Sequence, residues 1–218
     1  MSIEILSGPK TGGIKEDHEL FFARRALALL KCRLGTEGLT DLLANDTAQA
    51  DMYWERVVQE SNGQWTLCSV IMRATGVRAK DFLGWFQSNK DNTPMMVAAH
   101  PEHYVSTHGP ILETVGEQVS FFNLNIQSEL HPCVKNKDPE KYPIAFAGAG
   151  SMRSGTVMGH ACHQFRDLDA NEGDGLEVCF GGWMPAACGE DVIETHRKHL
   201  VVEWTNWLRQ AQEELAVK

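Results

Sequence analysis

The sequence predicts an α+β fold in which an antiparallel sheet curls around a long C-terminal helix. Helical periodicity marks both ends of the chain, whereas the segments between them are rich in strand-forming residues. This order of helices, strands and one long final helix is typical of the α+β class. With 218 residues the chain suits one domain with a core around a pocket. We predict a helical segment over 1–46 and the core over 47–218.

The N-terminal part is predicted to be helical. The segment KEDHELFFARRALALLKCRLG has apolar residues at helical spacing and acids at its start, and Gly35 is a stop signal. Thr36 suits the N-cap of a short second helix, TEGLTDLLAND. The first residues, MSIEILSGPKTGG, lack a basic segment followed by an apolar core. We therefore expect a cytoplasmic protein.

The middle of the chain is predicted to form mainly strands. QWTLCSVIMRA suits a buried strand, and VRAKDFLGWFQ suits a short helix. TPMMVAAHPEHYV is predicted to be a strand whose end carries His100 and His103. ILETVGEQVSFFNLNIQ is predicted to be a further strand carrying Glu113.

The last third of the chain has an exposed connection, strands and a final helix. HPCVKNKDPEKYP holds prolines and charges and suits an exposed connection. The glycines of FAGAGSMRSGTVMGHACHQF lack the arrangement of nucleotide-binding loops and predict turns and tight strand crossings. GLEVCFGGWMP is predicted to be a strand. EDVIETHRKHLVVEWTNWLRQAQEELA is predicted to be a long amphipathic helix.

Composition excludes several classes of protein. The hydrophobic share of 43% and charged share of 22% are typical of a globular chain. A net charge of -9 with scattered basic residues argues against a nucleic-acid partner. No apolar run reaches the roughly 18 residues of a spanning helix, so no membrane partner is expected. The six cysteines lack CxxC spacing, which favours reduced core thiols over disulfides or a thiolate metal site, and we expect no catalytic role for them.

Two residues of the predicted C-terminal helix, His199 and Glu203, are candidate metal ligands. They are four positions apart, so their side chains project from one helix face and can reach one ion. A solvated surface pair is the alternative interpretation. The neighbours Val201, Val202 and Trp204 favour an inward-facing position.

A second source of ligands lies in the middle of the chain. HPEHY supplies His100 and His103, and the residues alone leave open which of them is the ligand. Glu113 stands among apolar residues, where a carboxylate is costly to bury unless it is paired or metal-bound. An outward-facing strand residue is the alternative. Two imidazoles with two carboxylates suit Zn²⁺, with Mn²⁺ or Fe²⁺ less favoured.

His163, within HACHQFRD, is a candidate for a general acid or for hydrogen bonding to a substrate. A strand interior is an unusual place for a histidine without a role, although a satisfied core histidine is the alternative. A bound metal lowers the pKa of water toward neutrality, as hydrolysis at neutral pH requires. Aromatic residues at five positions are candidates to line a ligand pocket: Trp85, Phe86, Phe165, Trp183 and Trp204.

Five short motifs follow one another along the chain: FLGWFQ, HPEHY, ETVG, HQFRD followed by FGGWM, and HLVVE. Their order from about residue 34 to the end resembles the 2,4-diacetylphloroglucinol hydrolase and phloretin hydrolase family. The resemblance implies a START-like helix-grip fold, in which a curved antiparallel sheet wraps the C-terminal helix around a deep cavity. It also implies one zinc ion held by His103, Glu113, His199 and Glu203.

The resemblance also implies a reaction. Family members hydrolyse the carbon–carbon bond between an acyl group and a phenolic ring, with metal-activated water attacking the ketone carbonyl. His163 is similar in position to a substrate-facing histidine of the family, and His163 and Glu113 are the candidate catalytic residues. The candidate substrate contacts are His100, His163 and Trp183.

The chain departs from the family where GLEVCFGGWM places Gly181 and Gly182 in the position of bulky groups. This departure predicts different substrate contacts and a differently shaped cavity. We expect a small aromatic or polyketide-like substrate and leave a homodimer open. Two alternatives are a metal-dependent decarboxylase, hydratase or cyclase, and a non-catalytic small-molecule binding protein.

Overall fold

The computed structural model describes residues 15–106, 109–126 and 131–216, and over these ranges the chain is α+β. The N-terminal segment in which the sequence shows no secretion signal lies outside the described residues. The helices are α1 (Lys15–Leu42), α2 (Ala44–Glu60), α3 (Ala79–Asn89), α4 (Thr93–Ala98) and α5 (Glu190–Leu215). The strands are β1 (Trp65–Thr75), β2 (His103–Ser106), β3 (Pro110–Val115), β4 (Gln118–Ile126), β5 (Ile144–Met152), β6 (Val157–Asp167) and β7 (Gly175–Pro185).

The seven strands form one antiparallel sheet in the order β1-β7-β6-β5-β4-β3-β2. Strands β2 to β7 follow one another as a meander, and β1 pairs with β7 from Trp65↔Pro185 to Thr75↔Gly175. The link from β1 to β2 contains α3 and α4 and connects the two edges of the sheet. The sheet curls into a half-barrel beside α5, which confirms the predicted class and the curled sheet and is consistent with a helix-grip-like fold.

The core lies between the sheet and the helices. Helix α5 buries one apolar face, including Ile193, Leu200 and Trp204. Helix α2 adds Trp54, which is fully buried and donates from its indole Nε1 to Ser120 Oγ at 2.8 Å. Burying such side chains contributes about 1.5–3 kcal/mol each. The apolar face of α5 therefore packs against the sheet. Polar side chains of α5 that lie beside this face are close enough to the sheet to take part in a site.

The helices at the N-terminus differ in part from the prediction. Gly35 has a φ of 65° and a ψ of -176° and breaks helical geometry inside α1, so the predicted stop is a kink. The predicted short helix over 36–46 is divided between the end of α1 and the start of α2. The rest of α2, as far as Glu60, was not predicted.

One predicted strand is wrong over its first part, and another is divided into two strands. TPMMVAAHPEHYV begins as helix α4, because Pro94 suits the first helical turn and lacks only an N–H that would be unbonded there. Only His103 onward is strand. ILETVGEQVSFFNLNIQ forms two strands rather than one, because Gly116, with a φ of 66°, allows a tight turn between β3 and β4.

The remaining predicted elements agree with the structure. Strand β7 has the predicted bounds, and β1, α3 and α5 lie within two residues of theirs. The glycine-rich stretch provides most of β5 and β6. All six cysteines are free, and Cys68, Cys162, Cys179 and Cys188 are buried. No helix in the described ranges is long and apolar enough to cross a membrane.

Candidate metal centre

Four side chains from three elements meet between the sheet and α5. His103 on β2 and Glu113 on β3 are cross-strand partners, so both side chains lie on the same face of the sheet. His199 and Glu203 lie one turn apart on α5, which packs against β3. The strand pair and the helix pair therefore face each other.

The distances within this cluster suit one bound metal ion. His103 Nε2 lies 3.0 Å from His199 Nε2, 3.4 Å from Glu113 Oε2 and 3.5 Å from Glu203 Oε1. In a tetrahedral zinc site with bonds of about 2.0–2.1 Å, neighbouring ligand atoms are about 3.3 Å apart. The donor set, and the distances from His103 Nε2 to its other three members, thus fit a divalent ion such as zinc.

Hydrogen bonds favour His103 over His100 as the ligand. His103 Nδ1 lies 3.1 Å from the Met96 carbonyl oxygen, which can only accept, so Nδ1 carries the proton and Nε2 presents its lone pair. Such a contact orients many metal-binding histidines. His100 Nδ1 instead accepts the Glu102 N–H at 3.1 Å, which leaves the proton of the neutral ring on Nε2.

His100 still belongs to the cluster as a neighbour. Its ring stacks on His199 with centroids 3.8 Å apart, and the ligand atoms of His100, His103 and His199 lie within 4.8 Å of one another. The cavity described below is bordered by His103 but not, among the described residues, by His100. This placement favours support of His199 over the predicted contact between His100 and substrate.

Burial shifts every titration in the cluster toward the neutral form. Burial raises the pKa values of Glu113 and Glu203, and the charge of Glu113 raises that of Glu203 further. Burial also lowers the pKa of His103 to about 3 and that of His199 well below its usual range. Two carboxylates beside two neutral imidazoles are stabilised in their charged form by a divalent cation.

Lys31 is a residue of this region that the sequence did not single out. Its Nζ donates to the carbonyl oxygens of Pro101 and His103 at 2.6 and 2.5 Å. Burial lowers the pKa of Lys31 to about 8, although the charge of Glu102 opposes the shift. Lys31 therefore joins α1 to the backbone of the candidate ligand His103.

A cavity of about 750 Å³ opens beside the cluster, and His103, Glu113 and Glu203 line part of it. This volume is in the range of small-molecule sites. The other walls are mainly apolar and include Phe122, Phe146, Leu200 and Trp207. Of the five predicted pocket aromatics, three border the cavity: Phe86, Trp183 and Trp204. Trp85 and Phe165 are buried in the core instead.

Several buried nitrogens in the cavity wall have no hydrogen-bond partner among the described residues. They are Nδ1 of His163, Nδ1 of His196, and the indole Nε1 of Trp204 and of Trp207. Buried polar groups are nearly always hydrogen-bonded, so such groups need a partner. A ligand with several oxygen atoms, or water, would supply it once neighbouring side chains move, because these nitrogens have almost no accessible surface. His196 and Trp207 were not predicted as site residues, although their spacing from His199 puts them near its helix face.

His163 lies inside an aromatic cluster. Its ring meets Phe146, Trp204 and Phe180 edge-on, with centroids 5.1, 5.3 and 5.5 Å away. Burial lowers the pKa of His163 to about 3, so the ring is neutral near pH 7. Of its two predicted roles, this environment favours hydrogen bonding to a substrate over proton donation.

Trp183 borders the cavity, and its indole N–H is already hydrogen-bonded within the protein. Its indole Nε1 donates to Asn136 Oδ1 at 3.1 Å. Trp183 is the cross-strand partner of His160 on β6, so strand alternation puts it on the opposite face from His163. A side chain at position 181 would clash with Asn136, because a Cβ on Gly181 would lie 2.5 Å from Asn136 Nδ2.

Comparisons with known proteins add no family for this chain. A scan against protein-family models and a search of curated proteins each found no match. The function of this chain is therefore inferred from its residues and from their geometry.

Proposed function

We propose that this chain is a zinc-dependent hydrolase that cleaves the carbon–carbon bond between an acyl group and a phenolic or polyketide-like ring. One observation carries the proposal: Glu113, His199 and Glu203 each place a ligand atom within 3.5 Å of His103 Nε2 at the wall of a cavity. The curled sheet, the long α5 and the order of motifs support a START-like helix-grip fold and a relationship to the phloretin hydrolase family.

His103, Glu113, His199 and Glu203 would hold the ion. When bound, a divalent ion of this kind acts as a Lewis acid toward a carbonyl oxygen and lowers the pKa of water. The Met96 carbonyl keeps the ring of His103 oriented with Nε2 toward the other three ligands. The mainly apolar walls lower the local dielectric constant and thereby strengthen electrostatic interactions at the site.

The cavity suits a ring that carries several oxygen atoms. The partly buried rings of Phe122 and Phe146 in its wall offer stacking area. Once neighbouring side chains move to expose them, the unpaired indole N–H groups of Trp204 and Trp207 would donate to phenolic oxygens, and the neutral His163 would donate or accept. Satisfying these groups favours an oxygenated ring over a plain hydrocarbon, since an apolar ligand would leave them unpaired.

The proposed reaction adds water across the bond between the acyl carbon and the ring. The acyl carbon gains the hydroxyl group and leaves as a carboxylic acid, whereas the ring carbon gains a proton and leaves as a phenol. Phenolic hydroxyls on the ring stabilise the departing carbon as a phenolate tautomer. Hydrogen bonds from Trp204, Trp207 and His163 to those oxygens would favour this departure because they strengthen as charge develops.

A non-catalytic binding protein is the second candidate, and the state of the cavity histidines favours it. Burial lowers the pKa values of His163 and His196 to about 3 and about 4, so neither is a ready proton donor at neutral pH. An apolar cavity with neutral donors is also what simple binding of an aromatic ligand requires.

The test combines metal content with product analysis. Compared with the parent, His199→Ala should lose one equivalent of zinc while circular dichroism shows the fold retained. On acylphloroglucinol-type ketones in ¹⁸O-labelled water, the parent should release a carboxylic acid that carries the label. Carbon dioxide as the product would indicate decarboxylation instead. If His199→Ala takes up as much zinc as the parent and binds the ketone as well as the parent does, the binding-protein candidate replaces the hydrolase.

A further inference from the structure

A second group of potential metal-binding side chains shares no residue with the candidate centre. His131, Cys133 and His160 each bring a ligand atom within 4.8 Å of the others. His160 is buried on β6, whereas His131 and Cys133 lie in the connection between β4 and β5. Strand alternation puts His160 on the opposite face of β6 from His163. The two clusters share no residue, although His160 also borders the cavity beside the candidate centre.

Aromatic contacts already hold the two histidines together. The rings of His131 and His160 are stacked with centroids 4.2 Å apart. Trp65, at the start of β1, meets His160 edge-on at 4.7 Å and His131 at 6.0 Å. The Cys133 N–H donates to His131 Nδ1 at 3.3 Å, a long bond at the surface that water can replace. These contacts keep the thiol and both imidazoles in one place.

The connection carrying His131 and Cys133 is also fixed to the sheet a few residues further on. The Gln164 side chain donates to the Asn136 carbonyl oxygen at 2.8 Å and accepts the Asp138 N–H at 2.7 Å. The Asn136 side chain accepts from Trp183, the cross-strand partner of His160. The position of this connection over β6 and β7 is therefore set by several hydrogen bonds independent of any metal.

We propose that His131, Cys133 and His160 form a second metal site, with Zn²⁺ as its ion and an open position toward solvent. Two imidazoles and a thiolate are a borderline to soft donor set, which suits zinc and excludes Mg²⁺ and Ca²⁺. His131 is exposed, so water can complete the coordination. The proposal contradicts the expectation that no cysteine of this chain takes part in a metal site.

The number of protein ligands sets the order in which the two sites fill. The second site offers three, His131, Cys133 and His160, all within 4.8 Å of one another. The first offers four, three of which lie 3.0–3.5 Å from His103 Nε2. Because each protein ligand adds to the affinity for the ion, we expect the His131 site to fill second and to bind more weakly.

The experiment is a Co²⁺ titration of the metal-free full-length chain, followed by absorption. Cobalt bound to a thiolate gives a charge-transfer band in the near ultraviolet, whereas cobalt bound only to nitrogen and oxygen does not. We expect the parent to bind two equivalents and to show this band with the second. Cys133→Ser should abolish the band and the second equivalent. Cys32→Ser, which changes an exposed cysteine outside the cluster, should retain both.

Two further variants make the outcome decisive. His131→Gln, at an exposed position, should weaken the second equivalent without affecting the fold. His199→Ala should remove the first equivalent but keep the band, so failure of the proposed hydrolase centre is distinguished from failure of this site. The proposal is overturned if the parent shows no band with cobalt in large excess, or if the band persists in Cys133→Ser.

Discussion

Replacing Glu203 by glutamine tests the candidate metal centre most directly. Glutamine keeps the size of the side chain on α5 but removes the charge that would face the ion. Because Glu203 is buried beside Glu113 and no divalent ion is bound in the metal-free state, the metal-free variant should be at least as stable as the metal-free parent. In the presence of zinc the order of stabilities should reverse.

The size of the effect follows from the four-ligand geometry. Structural zinc sites contribute about 10–16 kcal/mol, so one ligand of four is worth about 3 kcal/mol, or about a hundredfold in Kd. Free zinc at about a hundred times the parent Kd stabilises the parent by about 2.7 kcal/mol, and the weakened variant by about 0.4 kcal/mol. For a chain of 218 residues we expect zinc to raise Tm by about 5–11 °C in the parent and about 1–2 °C in the variant.

The assay is thermal unfolding followed by circular dichroism, with and without zinc after removal of bound metal. All proteins carry Cys133→Ser, so the second cluster does not contribute. Glu213→Gln is the matched control, because Glu213 is an exposed glutamate on the same helix, and its zinc response should equal that of the parent. An unchanged zinc response in a folded Glu203→Gln variant would refute the assignment of Glu203 as a ligand.

Three further predictions concern the stability of the fold and the role of His163. Gly116→Ala should destabilise the fold by about 1–2 kcal/mol because of the positive φ at this position, and by more because the new Cβ would lie 2.9 Å from the Val192 side chain on α5. Urea unfolding should show a larger loss of stability than for Gly155→Ala, since Gly155 also has a positive φ but has open space around it. Equal losses would contradict the contact with Val192. Burial raises the pKa of Glu177, but hydrogen bonds from arginine, lysine and tyrosine side chains outweigh it and hold that pKa well below its usual range. The charged Glu177 therefore stabilises the folded state above pH ~4.3, and this contribution is lost as the pH falls below that value. Glu177→Gln should cost about 3 kcal/mol of unfolding free energy at pH 7 and progressively less in acid unfolding below pH ~4. A stability difference between parent and variant that does not change with pH would contradict this. His163→Phe should leave the unfolding free energy unchanged or raise it by about 1 kcal/mol, since it removes an unpaired buried nitrogen. The same variant should lower the turnover of acyl-phenols at least about tenfold. Unchanged turnover would exclude a role for His163 in the reaction.

The elements predicted correctly are those whose pattern is local. Strand β7 is a run of strand-forming residues between glycines, and α5 repeats its apolar residues at helical spacing over 26 residues. The pairing of His199 with Glu203 follows from helix geometry alone. Short elements were harder to predict: α4 has six residues and β2 has four, too few for a periodic signal to distinguish helix from strand.

The sequence by itself determined the α+β class, the long final helix and the residue types of the candidate metal cluster. Only the tertiary structure decided which residues meet there. His103 faces Glu113 because β2 and β3 pair in one register, and a shift of one residue would send one of them to the other face. The choice between His100 and His103 depends on the Met96 carbonyl and the Glu102 N–H. The unpaired nitrogens of Trp204 and Trp207 likewise depend on long-range packing, because burial and hydrogen-bond partners are set by residues distant in the chain.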